Sequence, residues 1–253
     1  MGVKSAIFSL LPEAIQHRII LRKTGFRKIE SAPLTEHIRA DFFLTPKSKT
    51  WDARLDKAYG HEPGVVRWFE KNLRADDVVY DIGANMGYYG VLVNHLHHGV
   101  EFHGFEANWF VNYYQRLNRD HMGLKKSWPI IEKLVGDKDQ GEFIRVDTYI
   151  RSHSGPTIFL MDVDGEEVTV LRGAPELIRS GKATFLIEVH PKDLADRGKT
   201  VDEVMAFFSK EQYALRYLPA LREAGSVWSE TISASDRKEE FFLLATPLSN
   251  PRY

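Results

Sequence analysis

Val78-Val79-Tyr80-Asp81-Ile82-Gly83-Ala84-Asn85-Met86-Gly87-Tyr88-Tyr89 reads as a strand, a tight turn and the first turn of a helix. Val78 to Ile82 is a short apolar run of strand length. Gly87 to His98 then brings Tyr89, Leu92, Val93 and Leu96 to one side of a helix. Glycine lets a ligand come close to the backbone, and a helix start offers amide N–H groups to an anion. A dinucleotide fingerprint, G-x-G-x-x-G, needs a second glycine two places after Gly83, and Asn85 stands there. That disfavours NAD and FAD, whose pyrophosphate needs the room. A strand-to-helix turn with no ligand is the alternative reading.

Outward from this stretch, helix and strand patterns alternate. Gly64 to Leu73 reads as a helix, Val100 to Phe105 as a strand and Trp109 to Asp120 as a helix. Ile130–Val135, Thr157–Val163, Ala183–Val189, Leu215–Leu218 and Phe241–Ala245 read as strands. Glu166 to Arg172 begins a helix, Pro175 opens another turn, and Thr200-Val201-Asp202-Glu203 is a capping box. Such alternation implies an α/β fold with a mostly parallel sheet covered on both faces. Ligands then sit beyond the carboxyl ends of the strands. Glu106 ends the second strand, where an acid can reach ribose hydroxyls.

Residues 1–60 break the pattern and read as an N-terminal extension, a lid or a dimer contact, ahead of a main domain over 61–253. Ser5 to Leu21 has nearly helical apolar spacing interrupted by Pro12. Phe26–Ile29 and Ile38–Leu44 read as short strands, and Pro46 to Lys49 as a turn. The 253 residues are 43% hydrophobic and 27% charged, with a net charge of -1, as in a globular domain without the basic face of a nucleic-acid binder. With no cysteine, disulfides, thiolate metal sites and a cysteine nucleophile are excluded. No apolar run is long enough for a bilayer, so the expected location is cytoplasmic.

Four blocks in order resemble the FkbM-type methyltransferase family: Val79 to Tyr89, Gly104-Phe105-Glu106-Ala107-Asn108, Met161-Asp162-Val163-Asp164-Gly165-Glu166-Glu167 running into Val170 to Ala174, and Ile187-Glu188-Val189-His190-Pro191. The resemblance implies a Rossmann-like class I methyltransferase: seven strands, mostly parallel, the last antiparallel, with helices on both faces. It implies S-adenosylmethionine as methyl donor and O-methylation of a hydroxyl on a sugar, glycolipid, polyketide or other small metabolite. Asp81, Gly83, Ala84, Asn85, Gly87 and Tyr88 would surround the methionine part, Glu106 and Ala107 the ribose, and Asp137 the adenine. Glu62 belongs to an element resembling the family's Tyr-Glu-Pro. Three departures bear on substrate more than on donor: Ala107 replaces a usual proline, Asp164 a usual glutamate, and the stretch from Gly136 to Thr148 is compressed.

A hydroxyl acceptor must lose a proton, and a positioned carboxylate or imidazole can take it. Asp162 and His190 are the expected bases, with Glu188 orienting or sharing charge. Glu188 and His190 share a strand face because side chains alternate. A divalent ion on Asp162, Glu188 and His190 suits the chemistry of those groups, yet metal-free base catalysis is the preferred reading. Asp164 and Glu167 read as acids favoured by a helix start, and His95, His97 and His98 as a solvated helix end. The expected partner is a small-molecule or carbohydrate acceptor rather than a nucleic acid, and a homo-oligomer is open. An RNA or protein methyltransferase, a noncatalytic donor-binding protein and a dinucleotide oxidoreductase are the alternatives.

Overall fold

The computed structural model describes residues 25–45 and 60–249, together with Ile15 and Ile19, which are helical. The rest of the segment expected as a helix over Ser5 to Leu21 and the turn expected at Pro46 to Lys49 lie outside the described residues. Elements follow in the order β1 (Arg27–Pro33), β2 (Arg39–Leu44), α1 (Pro63–Asn72), β3 (Val78–Ile82), α2 (Tyr88–Leu96), β4 (Glu101–Phe105) and α3 (Trp109–His121). Next come β5 (Ile130–Ile131), β6 (Leu134–Val135), β7 (Phe143–Ile144), α4 (Val146–Ile150), β8 (Ile158–Met161), α5 (Glu167–Arg172) and α6 (Pro175–Ser180). The chain continues through β9 (Thr184–Val189), α7 (Pro191–Asp196), α8 (Val201–Met205), β10 (Tyr213–Leu218) and β11 (Phe241–Pro247).

Seven strands form one sheet in the order β10-β11-β9-β8-β3-β4-β5. β3, β4, β5, β8 and β9 pair in parallel, while β11 runs antiparallel to β9 and β10. Parallel strands buried on both faces need apolar side chains on both, and two hydrophobic clusters supply them. Val79, Leu160, Leu186 and Phe242 pack on one face, and Tyr80, Phe159, Ile187 and Phe241 on the other. By the same alternation Asp81, Asp162 and Glu188 continue the face of Val79, Leu160 and Leu186 at the carboxyl edge.

The expected single strand Ile130–Val135 is two strands. Ile130–Ile131 extends the main sheet beside Gly104–Phe105, whereas Leu134–Val135 pairs in parallel with Phe143–Ile144 in a separate ribbon. The polar pair Glu132-Lys133 falls at the break, with Glu132 bound to Arg116 of α3 and Lys133 to the Gly141 carbonyl. The β1–β2 hairpin lies against α3, and its Ala32, Leu34, Phe42 and Leu44 belong to the same buried cluster as α1 and α2. Thr200 caps α8 as expected, accepting the Glu203 N–H at 3.2 Å.

Candidate functional site

The turn after β3 is held by protein. The Gly83 and Ala84 N–H groups both donate to the Phe105 carbonyl at 2.9 Å. Gly83 has φ +88°, and a Cβ there would lie 1.8 Å from the Asp162 carbonyl oxygen. Asn85 holds φ +50° and donates its N–H to Glu106 Oε2 at 3.2 Å, while Glu106 Oε1 accepts from the Asn108 N–H at 2.7 Å. The glycine that marked this turn in the sequence is therefore required by the neighbouring strand end, and Glu106 ties the turn to β4.

Gly83, Glu106, Ala107, Asp137 and Asp162 share one cavity of 580 Å³, with Val135, Phe143 and Val163 among its apolar walls. That size suits a cofactor-sized ligand. Asp81 lies behind it, 2% exposed, and its Oδ2 makes no hydrogen bond among the described residues. Burial, then the charges of Asp162, Glu62 and Glu106, raise the Asp81 carboxyl well above its ordinary range. Burial also raises Glu106, partly offset by the Asn108 and Asn85 N–H groups. Ala84 is buried, Asn85 exposed, and Gly87 packs under Trp128, where a Cβ would come within 2.6 Å.

Tyr88 does not reach the cavity. It is buried, its hydroxyl accepting the His61 N–H at 3.1 Å and donating to the Leu34 carbonyl at 3.3 Å. It fastens the hairpin turn to the entry of α1, because the helix turns this side chain into the core. Glu62, also buried, meets the Tyr89 hydroxyl and stands 3.2 Å from His61 Nε2.

Beyond Asp162 the three residues chosen as the chemical end come together. His190 Nε2 is 3.5 Å from Asp162 Oδ1 and 3.7 Å from Glu188 Oε1, and Asp164 Oδ1 is at 3.6 Å. Glu167, taken from sequence as a helix-start acid, is fully buried and turns back on His190. Its Oε1 lies 2.7 Å from Nδ1 and accepts the His190 and Gly165 backbone N–H groups at 3.2 Å. Burial alone would lower the His190 pKa; the Glu167 hydrogen bond and the charges of Asp162, Glu167 and Asp164 outweigh it and lift it to about 9. Glu188 is pushed up by burial and by Glu62 and Asp162, with Arg222 opposing. Arg222 Nη2 stands 3.7 Å from Glu188, a partner that no motif signalled.

His190 also lines a second cavity of 640 Å³, with Lys192, Asp193, Arg222, Lys238 and Glu240 on its walls. His95, His97 and His98 end α2 as expected, His97 Nε2 meeting the Leu73 carbonyl at 3.1 Å. Among the described residues, Asp162, Glu188 and His190 are the group whose ligand atoms lie close enough together to hold a metal ion, within 4.8 Å of one another. No helix among these residues is long and apolar enough to cross a membrane.

Sheet order, antiparallel β11 and the cavity at the strand ends define a Rossmann-like methyltransferase fold. Solved structures agree with it. A putative rRNA-methylase from Clostridium thermocellum matches with a TM-score of 0.51 at 9% identity, covering 74% of this chain and 94% of that one. An rRNA methylase from Streptococcus thermophilus matches with a TM-score of 0.50 at 11% identity, covering 73% and 94%. At such identities the likeness is one of fold. Residues 140–215 match the Methyltransferase FkbM domain, so the resemblance read from the sequence blocks holds across the segment that carries Asp162, Glu188 and His190. The methyltransferase FkbM from Methylobacillus flagellatus KT matches at 14% identity over 71% of this chain with a TM-score of 0.49. This chain spans half the length of that protein. No curated protein matches the chain in sequence.

Proposed function

We propose that the protein is an S-adenosylmethionine-dependent O-methyltransferase acting on a hydroxylated small molecule or carbohydrate. The carrying observation is the shared cavity of Gly83 and Glu106, backed by the buried Oδ2 of Asp81, which has no hydrogen-bond partner among the described residues. Like charges that raise one another's pKa at a buried edge favour a ligand that brings positive charge. S-adenosylmethionine carries a sulfonium and an ammonium; a dinucleotide would bring a pyrophosphate among Glu106, Asp137, Asp162 and Asp164.

Asp81, Gly83, Ala84, Asn85 and Gly87 would hold the methionine part, with Glu62 behind them. Glu106 and Ala107 would meet the ribose, and Asp137 the adenine. Glu106 suits its role because two backbone N–H groups fix its carboxylate while leaving lone pairs for hydroxyl donors. When bound, S-adenosylmethionine supplies a sulfonium methyl group that an acceptor oxygen displaces in line, the S–C electron pair staying on sulfur. Alignment then dominates the rate. Asp162, 44% exposed and on the wall of the donor cavity, is the carboxylate placed to take the acceptor's proton. His190 has both ring nitrogens facing carboxylates, Glu167 at Nδ1 and Asp162 at Nε2, an arrangement that raises its pKa and suits orientation and charge compensation more than proton abstraction. The polar walls of the second cavity suit an acceptor rich in hydroxyls.

Methyl-labelled donor, offered with glycosides, other hydroxylated metabolites and RNA, tests the reading by mass spectrometry of the products. Label on an oxygen of a hydroxylated small acceptor is expected, with Asp162→Asn slowing transfer about a hundredfold or more. Label entering RNA instead, or donor binding with no transfer to any acceptor, contradicts it.

A further inference from the structure

Asp162 lines the donor cavity and His190 the second one, and the two meet at 3.5 Å with buried Glu188 beside them, a junction drawn from strand ends or just beyond. Two ligand atoms each about 2.1 Å from one metal lie roughly 3–3.6 Å apart at angles between about 90° and 120°. The Nε2 separations of 3.5 Å to Asp162 and 3.7 Å to Glu188 are close to that spacing. The donor set, one imidazole and two carboxylates, suits a divalent cation of the manganese or zinc kind.

Three features set this apart from a chance group of surface acids. Glu188 is 1% exposed, and the two cationic groups paired with it both stand at 3.7 Å, beyond hydrogen-bonding length. Glu167 grips Nδ1 at 2.7 Å, the carboxylate–histidine arrangement that fixes a ring so that Nε2 faces a metal. The ligand atoms of Asp162, Glu188 and His190 all lie within 4.8 Å of one another, drawn from two neighbouring strand ends. Buried carboxylates in such company are compensated by cations or metals.

We propose that Asp162, Glu188 and His190 bind a divalent cation at the junction, where it holds and acidifies the acceptor hydroxyl. This rests on the methyltransferase reading for the identity of the acceptor, though not for the binding of the ion. With the ion bound, His190 is neutral, donating Nδ1–H to Glu167 and giving the Nε2 lone pair to the metal. Asp162 is then a ligand and no longer the base. The acceptor oxygen joins the ion through a lone pair, and its O–H proton passes to solvent in the second cavity. This reverses the metal-free preference drawn from the sequence.

The test is titration of the full chain with Mn²⁺ alone, followed by electron paramagnetic resonance and calorimetry, with S-adenosylhomocysteine binding measured in parallel. One Mn²⁺ per chain is expected, with affinity falling at least tenfold in Glu188→Gln and in His190→Gln. Glu167→Gln weakens it less, as befits a positioning residue. Retained S-adenosylhomocysteine binding shows that each variant is folded. No Mn²⁺ binding, or binding undiminished in both Glu188→Gln and His190→Gln, overturns the site. Because the nucleoside measurement is separate, loss of the metal site and loss of the donor reading are told apart.

Discussion

Gly83 carries two constraints at one Cα. Its positive φ is one that a side chain resists, and the Asp162 carbonyl stands where a Cβ would go. Gly83→Ala should cost on the order of 1–3 kcal/mol from the backbone alone, lower the melting temperature, and weaken donor binding by displacing the turn. A variant that melts with the parent and binds the nucleoside unchanged refutes that role. Asp81 makes the opposite prediction for stability. Its folded pKa is raised, so its favourable contribution is present below its unfolded pKa and is lost as pH rises through the folded value. Asp81→Asn should therefore raise the melting temperature of the ligand-free protein, more at pH 8 than at pH 5, while weakening donor affinity. Equal shifts at both values would contradict this. Asp81, Glu106, Asp162, Glu188 and His190 were legible because acids and a histidine at strand ends are few and alternation aligns them. Glu167 was not, since helix-start acids usually face solvent and only the fold turns its carboxylate to His190. The inward direction of the Tyr88 side chain was not legible either, because the turn that follows Gly83 sets it.

At the scale of elements, Asn118 joins Tyr88 and the shared apolar cluster in fixing the β1–β2 hairpin to the donor half of the sheet. Asn118 on α3 accepts the Phe43 N–H at 2.7 Å and donates to the Phe43 carbonyl at 3.0 Å and the Met86 carbonyl at 2.8 Å. Asn118 is 1% exposed, so its loss strands buried polar groups, each worth about 1–3 kcal/mol. Asn118→Ala should speed amide exchange in β2 and around Met86 before the main sheet opens; uniform exchange across the sheet would show that no such link exists. The periodicity of apolar residues placed the strands of the main sheet and helices α1 to α3, whereas β7, α4 and α7 are too short to show a period and were not read from the sequence. The split of Ile130–Val135 was hidden, because both halves are apolar and only the neighbours, β4 for one and β7 for the other, separate them. The two polar residues between them were the available signal.

For the whole molecule, the sheet order sends its acids to one edge, and the account turns on what that edge binds. Glu106 accepts from ribose hydroxyls most strongly as a carboxylate, and its pKa is raised, so as pH is lowered donor affinity should begin to fall at higher pH than an ordinary glutamate implies. Affinity that stays flat until the usual carboxylate range argues against a role for Glu106. The most direct measurement is calorimetric titration of the intact chain with S-adenosylhomocysteine, beside Glu106→Ala and beside NADH. One nucleoside site per chain is predicted, weakened at least tenfold by Glu106→Ala, with no heat from NADH. No binding of S-adenosylhomocysteine, or binding indifferent to Glu106, contradicts the account.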